Sequence, residues 1–256
     1  IFLEFFCSLA TGLAVICQGK KSAKSGIEKD ENSSNVDILF VGHLLDHRDL
    51  TDINDRYYGE LPTQCAEEGW SVHNVWLNQT KTDVVPSSRN KKTNITVLDR
   101  RLSVIGESKN FLALCVDAVR IYLDRLPGSA RGEANLKLCR RHRRFIAARH
   151  MNYRNMAAVR IGQQIADVAK AYQPKIIIYT FEGQAWERVL CKCIRDILPN
   201  ISMIGYQHTV LVPGVRNINS RIGEGADASH ILTAGRITYD MLLEQSEFTA
   251  ENITIA

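Results

Sequence analysis

Two short apolar runs, KIIIYT (Lys175–Thr180) and ISMIGY (Ile201–Tyr206), enclose a single helical pattern. Within it Trp186, Val189, Leu190, Cys193, Ile194 and Ile197 fall on one face, and Pro199 with Asn200 ends it. A strand, a helix and a strand in so short a stretch imply a right-handed crossover and two parallel strands in one sheet. Parallel sheets need cover on both faces. The fold class that follows is α/β, a Rossmann-like doubly wound parallel sheet.

The remaining pattern agrees. VDILFV (Val36–Val41) is a continuous apolar run suited to a buried parallel strand, followed by Gly42 and His43 and a loop carrying Asp46, His47, Arg48 and Asp49. A helix is expected from Pro62 to Gly69, then a strand over SVHNVWL (Ser71–Leu77). Residues 78–109 read as polar loop with a short strand around Ile95–Leu98. Helical patterns follow at 110–126, 134–151 and 155–172, and a last strand is expected over HILTA (His230–Ala234), ending in Gly235.

The first 17 residues are apolar but interrupted by Glu4 and Gly12, and they lack a basic leader. A membrane span needs about 20 apolar residues. A buried or interfacial helix is expected there, with a short membrane segment as the alternative, joined by a polar linker, so that 1–35 forms helix and linker. The chain opens on Ile1 and its first methionine is Met151, so a piece of a longer protein is expected.

Charge and cysteine content narrow the partners. With 32 basic and 28 acidic residues, the net charge of +4 is too mild to argue for nucleic acid. Seven cysteines in no framework spacing read as free thiols of a reducing cytoplasm. The basic residues are unevenly spread: seven lie between Lys137 and Arg154, with no acid among them. Lys137, Arg140, Arg141 and Arg144 share a helical face opposite Leu138, Phe145 and Ile146. That arrangement fits either a solvated face or contact with an anionic membrane surface or phosphorylated lipid on the inner face of the cell membrane. No aromatic platform interleaves these arginines, which argues against single-stranded nucleic acid.

Open parallel sheets bind ligands beyond the carboxyl ends of their strands. Four such ends are visible: Gly42–His43, Phe181–Gln184, Gln207–His208 and Gly235. Glu182, Gly183 and Gln184 precede a helix, where free N–H groups would suit an anion or sugar hydroxyls. Glu182 can serve as a general base on an acceptor hydroxyl or as a helix cap. Glu187 can pair with Arg188 or a nearby loop, or touch substrate. Trp186 belongs to the apolar stripe. His208 is either a structural hydrogen-bonding group or a substrate or phosphate contact. Walker, GxGxxG, HExxH, GxSxG and CxxC patterns do not occur, which argues against P-loop NTPases, simple dehydrogenases, zinc peptidases and α/β-hydrolases.

Tyr179–Gly214 (YTFEGQAWERVLCKCIRDILPNISMIGYQHTVLVPG) resembles bacterial surface-carbohydrate (polysaccharide) biosynthesis proteins of the GT-B glycosyltransferase type. Those proteins carry an E-G/N-x-x-W-E element after one strand, here Glu182, Gly183, Trp186 and Glu187. After the next strand they carry I-G-Y-Q-H, here Ile204 to His208, including Tyr206 and Gln207. Weaker matches at YYGELP (Tyr57–Pro62), Asn155–Ile165 and HILTAG (His230–Gly235) extend the similarity over about 36–244.

The resemblance implies an acceptor-side Rossmann-like domain over 36–225 and the start of a donor-binding domain over 226–256. It implies transfer of a sugar from a nucleotide sugar to a surface glycan or lipid-linked acceptor, with no metal and no other cofactor. Catalysis would fall to Glu182 and His208. Substrate binding would fall to Gly42, His43, Gly183, Gln184, Glu187, Tyr206, Gln207 and Gly235. The same architecture also serves nucleotide-sugar 2-epimerases, and a non-catalytic glycan-assembly or nucleotide-binding module stays open.

Overall fold

The computed structural model of the chain describes residues 2–19, 36–46, 56–80, 95–123, 133–209, 218–223 and 225–256. Side chains of the helical residues 2–3 and 133–137 lie outside that description, as do the loop positions His47, Arg48 and Asp49. The chain divides into two compact units. One is formed by residues 27–100 and 161–256, the other by 1–26 and 101–160.

The first unit is built on seven strands, all parallel: β1 (Ile38–Leu44), β2 (Val72–Asn78), β3 (Ile95–Val97), β4 (Ile176–Thr180), β5 (Ser202–Gln207), β6 (His230–Thr233) and β7 (Ile253–Ile255). Their spatial order is β3-β2-β1-β4-β5-β6-β7. Strand order reverses between β1 and β4, the topological switch point where such sheets open a crevice. The register sets Ile38 beside both Val72 and Ile176, and Ile178 beside Ile204. Continuous burial along β1 is what a central parallel strand requires, because both its faces are covered. The α/β, Rossmann-like expectation holds.

Helices α2 (Leu61–Glu67), α6 (Ala185–Ile197) and α7 (Arg236–Gln245) connect strands of this sheet. In α6 the expected stripe is buried at Trp186, Leu190 and Ile194. Gly205 lies in β5 directly against Phe181: a Cβ there would come within 2.9 Å of the Phe181 Cβ and Cγ. That space has to be left empty for the first residue after β4 to enter the core.

Two corrections concern boundaries. β1 runs on to Leu44, so Gly42 and His43 are inside the strand and paired with Trp76 and Leu77, not beyond it. Residues 226–256 start no separate sheet. His230 pairs with Ile204 and Ile231 with Ile253, so β6 and β7 extend the same sheet through ordinary parallel ladders.

A buried charge network fastens the stretch before β6. Asp227, 0% exposed at its side chain, pairs with Arg188 of α6 and accepts the backbone N–H groups of Ile222 (2.8 Å) and Gly223 (2.7 Å). Arg188 also donates to the Ser220 carbonyl at 2.8 Å.

The second unit is helical: α1 (Phe2–Cys17), α3 (Val104–Leu123), α4 (Glu133–Arg149) and the first turns of α5 (Tyr153–Tyr172). Its core gathers Leu114, Ala118, Met151 and Met156 with Val15 and Phe111. Gly12 permits this packing, since a Cβ there would meet the Phe111 ring at 2.5 Å. The glycine that interrupted an apolar run is thus the point of closest helix approach. No helix among the described residues is long and apolar enough to cross a membrane.

α3 begins six residues earlier than the sequence pattern suggested. Ser103 caps it, its Oγ accepting the Gly106 N–H at 3.1 Å. Glu107 is then buried, receiving Arg160 at 2.8 Å and the Leu102 N–H at 3.0 Å on one oxygen.

Two substitutions test this packing. Gly205→Ala is expected to cost about 1–3 kcal/mol in urea unfolding, because it overpacks a rigid contact. Asp227→Ala strands the Arg188 guanidinium in the interior, and the expected loss is about 3–5 kcal/mol.

Candidate functional site

The carboxyl ends of β1, β4 and β5 meet at the switch point, and the polar residues there come from all three. His43, the last residue but one of β1, is buried. Its Nδ1 lies 2.7 Å from the Gln79 amide nitrogen, and its Nε2 lies 3.1 Å from the Thr180 hydroxyl. With Gln79 donating to Nδ1, the ring proton sits on Nε2 and is donated to Thr180. Burial holds His43 neutral, pushing its pKa down to about 4. Both nitrogens are therefore committed, and only the ring face is left to meet a ligand.

The β4–α6 turn is the centre of the site. Gly183 has φ of +75°, a left-handed conformation that favours glycine. Glu187, in the first turn of α6 and 0% exposed, reaches back to this turn. One of its oxygens accepts the Glu182 N–H and the other the Gly183 N–H, each at 2.9 Å. This overturns the expectation that those N–H groups stand free for an anion: the chain's own carboxylate fills the place. Of the two partners expected for Glu187, Arg188 or a nearby loop, it is the loop that it meets, since Arg188 is bound to Asp227. Burial raises the Glu187 pKa to about 8, outweighing the N–H bonds that lower it.

Glu182, released from capping by Glu187, turns its carboxylate outward. One oxygen lies 3.5 Å from His208 Nε2, and the other accepts the Gln184 amide at 2.5 Å. The Glu182 side chain is 30% exposed and that of His208 15%. Gln184 uses its other end to accept the Trp186 indole N–H at 3.0 Å. Trp186 itself packs edge-on against His43 and Tyr179, as its place on the apolar stripe implied.

From β5, Tyr206 lies half-buried, stacked near His208 with centroids 6.3 Å apart, and burial raises its pKa. Gln207 is completely buried. Its amide nitrogen donates to the Thr209 carbonyl and hydroxyl at 2.9 Å, while its Oε1 has no hydrogen-bond partner among the described residues.

Four members were not foreseen. Tyr57 packs edge-on to His208 at 4.9 Å and tilted against His43 at 5.5 Å, joining the two histidines. Tyr58 is buried and donates to the Val41 carbonyl at 2.6 Å. Thr180 and Gln79 fix the His43 tautomer. The YYGELP segment had marked the tyrosines only as a weak match, because nothing local says which strand end they approach.

Two expected positions stand apart from this group. Gly42 serves packing, as a Cβ there would lie 3.1 Å from the Trp76 ring. Gly235 caps the start of α7 with extended backbone and nothing within 4 Å of an added Cβ. The basic group belongs to the helical unit: Arg140, Arg141 and Arg144 are exposed on α4, and the Lys137 side chain lies outside the described residues. Among the described residues no cluster of three His, Cys, Asp or Glu side chains is arranged to hold a metal ion. No family model and no curated protein matches the chain.

The Glu187 shift has a sign that can be measured. Its folded pKa lies above the unfolded value, so its contribution to stability is complete below about pH 4.5 and is lost as pH rises through about 8. His43 and His73, both pushed down to about 4 by burial, act in the opposite sense and only between about pH 4 and 6.5. Unfolding free energy should therefore decline from pH 7 toward 8 by up to about 1.4 kcal/mol per pH unit. Glu187→Gln should flatten that slope in urea titrations, and an unaltered slope would exclude Glu187 as its source.

Proposed function

We propose that the chain forms the acceptor-side half of a sugar-transferring enzyme of the GT-B type, acting on a surface glycan or lipid-linked acceptor. The observation that carries this reading is the carboxylate–imidazole pair of Glu182 and His208, 3.5 Å apart where β4 and β5 end beside the switch point. Glu182 is partly exposed while the turn beneath it is held by another residue, so it can take a proton without unravelling its own loop.

In this reading the acceptor hydroxyl gives its proton to Glu182 as its oxygen bonds to the anomeric carbon of a nucleotide sugar. The anomeric carbon–oxygen bond to the nucleoside diphosphate breaks, and the diphosphate leaves with that electron pair. His208 stabilises the proton on Glu182 or the charge on the leaving group. Tyr57 and Tyr206 offer ring faces to the acceptor. His43, neutral and saturated, supports the Tyr57 and Trp186 rings from beneath.

The test is turnover of UDP-, CDP- and GDP-sugars by the full-length protein with glycan and lipid-linked acceptors. Glu182→Gln is expected to lower kcat by about 10²–10⁴ while leaving the thermal midpoint in place. Full turnover in that variant rejects the assignment. Epimerised nucleotide sugar formed without acceptor would replace transfer by 2-epimerisation.

A further inference from the structure

The helical unit presents a face that sugar transfer does not use. α3 buries Glu107, Asn110, Leu114 and Ala118. Its opposite side carries Ile105, Leu112, Val116, Val119 and Leu123, between 44% and 69% exposed. These five recur at helical spacing and form one apolar stripe running the length of the helix. This exposed aliphatic stripe is not covered by any of the described residues.

α4, which packs on α3, adds charge to that face. The Arg144 guanidinium lies 5.7 Å from the centre of the exposed Tyr122 ring, which flanks the stripe near its end. Arg140 and Arg141 are exposed on the same helix, and no acidic residue occurs between Lys137 and Arg154. Leu138 and Ile146, expected on the face opposite these arginines, are exposed as well. At the end of α3, Val119, Arg120 and Leu123 line an open groove of about 480 Å³.

We propose that this face docks on an anionic lipid bilayer, the α3 stripe lying at the headgroup–acyl boundary and the α4 arginines meeting lipid phosphates. Charge decides the occupant. The arginine cluster has no acidic residue within its own stretch of helix, and an anionic leaflet complements it. Arginine stems can lie along the apolar stripe while their heads stay with the phosphates. The proposal stands apart from the sugar-transfer reading, so a Glu182→Gln protein should bind vesicles like the wild type.

The experiment is sedimentation with phosphatidylcholine vesicles, with and without phosphatidylglycerol, across a salt series. Binding is expected only with phosphatidylglycerol and should weaken as salt rises. Replacing Arg140, Arg141 and Arg144 together by Gln should weaken it on the order of a hundredfold. Leu112→Gln with Leu123→Gln should also release the protein. All five positions are exposed, and circular dichroism melts check that both variants fold. Absence of binding to phosphatidylglycerol vesicles overturns the proposal, as does binding indifferent to both sets of substitutions. A dimer seen by light scattering and dissociated by the leucine pair would assign the face to a second copy and overturn it equally.

Discussion

Glu187 takes up the two backbone N–H groups at the turn after β4, and the outward course of the Glu182 carboxylate follows from those bonds. They hold Gly183 in its left-handed conformation. They satisfy donors that an exposed helix start would offer to solvent. They also leave Glu182 with no capping duty, so its carboxylate meets His208 and Gln184 instead. Two glutamates five residues apart divide the work: the buried one supports the turn, and the outer one meets the crevice.

The sheet supplies the rigidity that makes such a division useful. Seven parallel strands in register bring the ends of β1, β4 and β5 side by side, so His43, Glu182 and His208 come together from distant stretches of chain. The Arg188–Asp227 network extends that order toward β6, tying the stretch before it to the helix that carries Glu187. A helix fixed at one end by a carboxylate on backbone N–H groups and along its side by a buried ion pair has little freedom to shift. The sugar transfer proposed above would need its reacting groups held this firmly.

Much of the sheet was legible in the sequence, because buried parallel strands are uninterrupted apolar runs and their helices carry clean stripes. KIIIYT, ISMIGY and HILTA all became strands close to their expected limits. The end of β1 was misplaced because Gly42 and His43 look like a turn, whereas here the glycine makes room for Trp76 and the histidine finds partners in Thr180 and Gln79. The Ser103 cap was available as a signal, yet the polar surroundings masked it. Glu182 and His208 were both singled out, but their proximity depends on the β4–β5 register, which periodicity cannot supply. The filling of the turn by Glu187 was invisible for a related reason: acidic residues early in a helix look alike until burial tells them apart.

The helical unit is assembled from two stretches of chain that the strands β1 to β3 separate. α1 packs on α3 and α4, and Val15 joins a core whose buried members come from α3 and beyond. During synthesis α1 therefore emerges long before its partners exist. Its apolar residues must wait through the making of three strands before they find cover. Contacts of such long sequence separation form late, since loop-closure entropy must be overcome first. In the interval α1 is an exposed apolar helix on an unfinished chain, the kind of segment that holding chaperones engage.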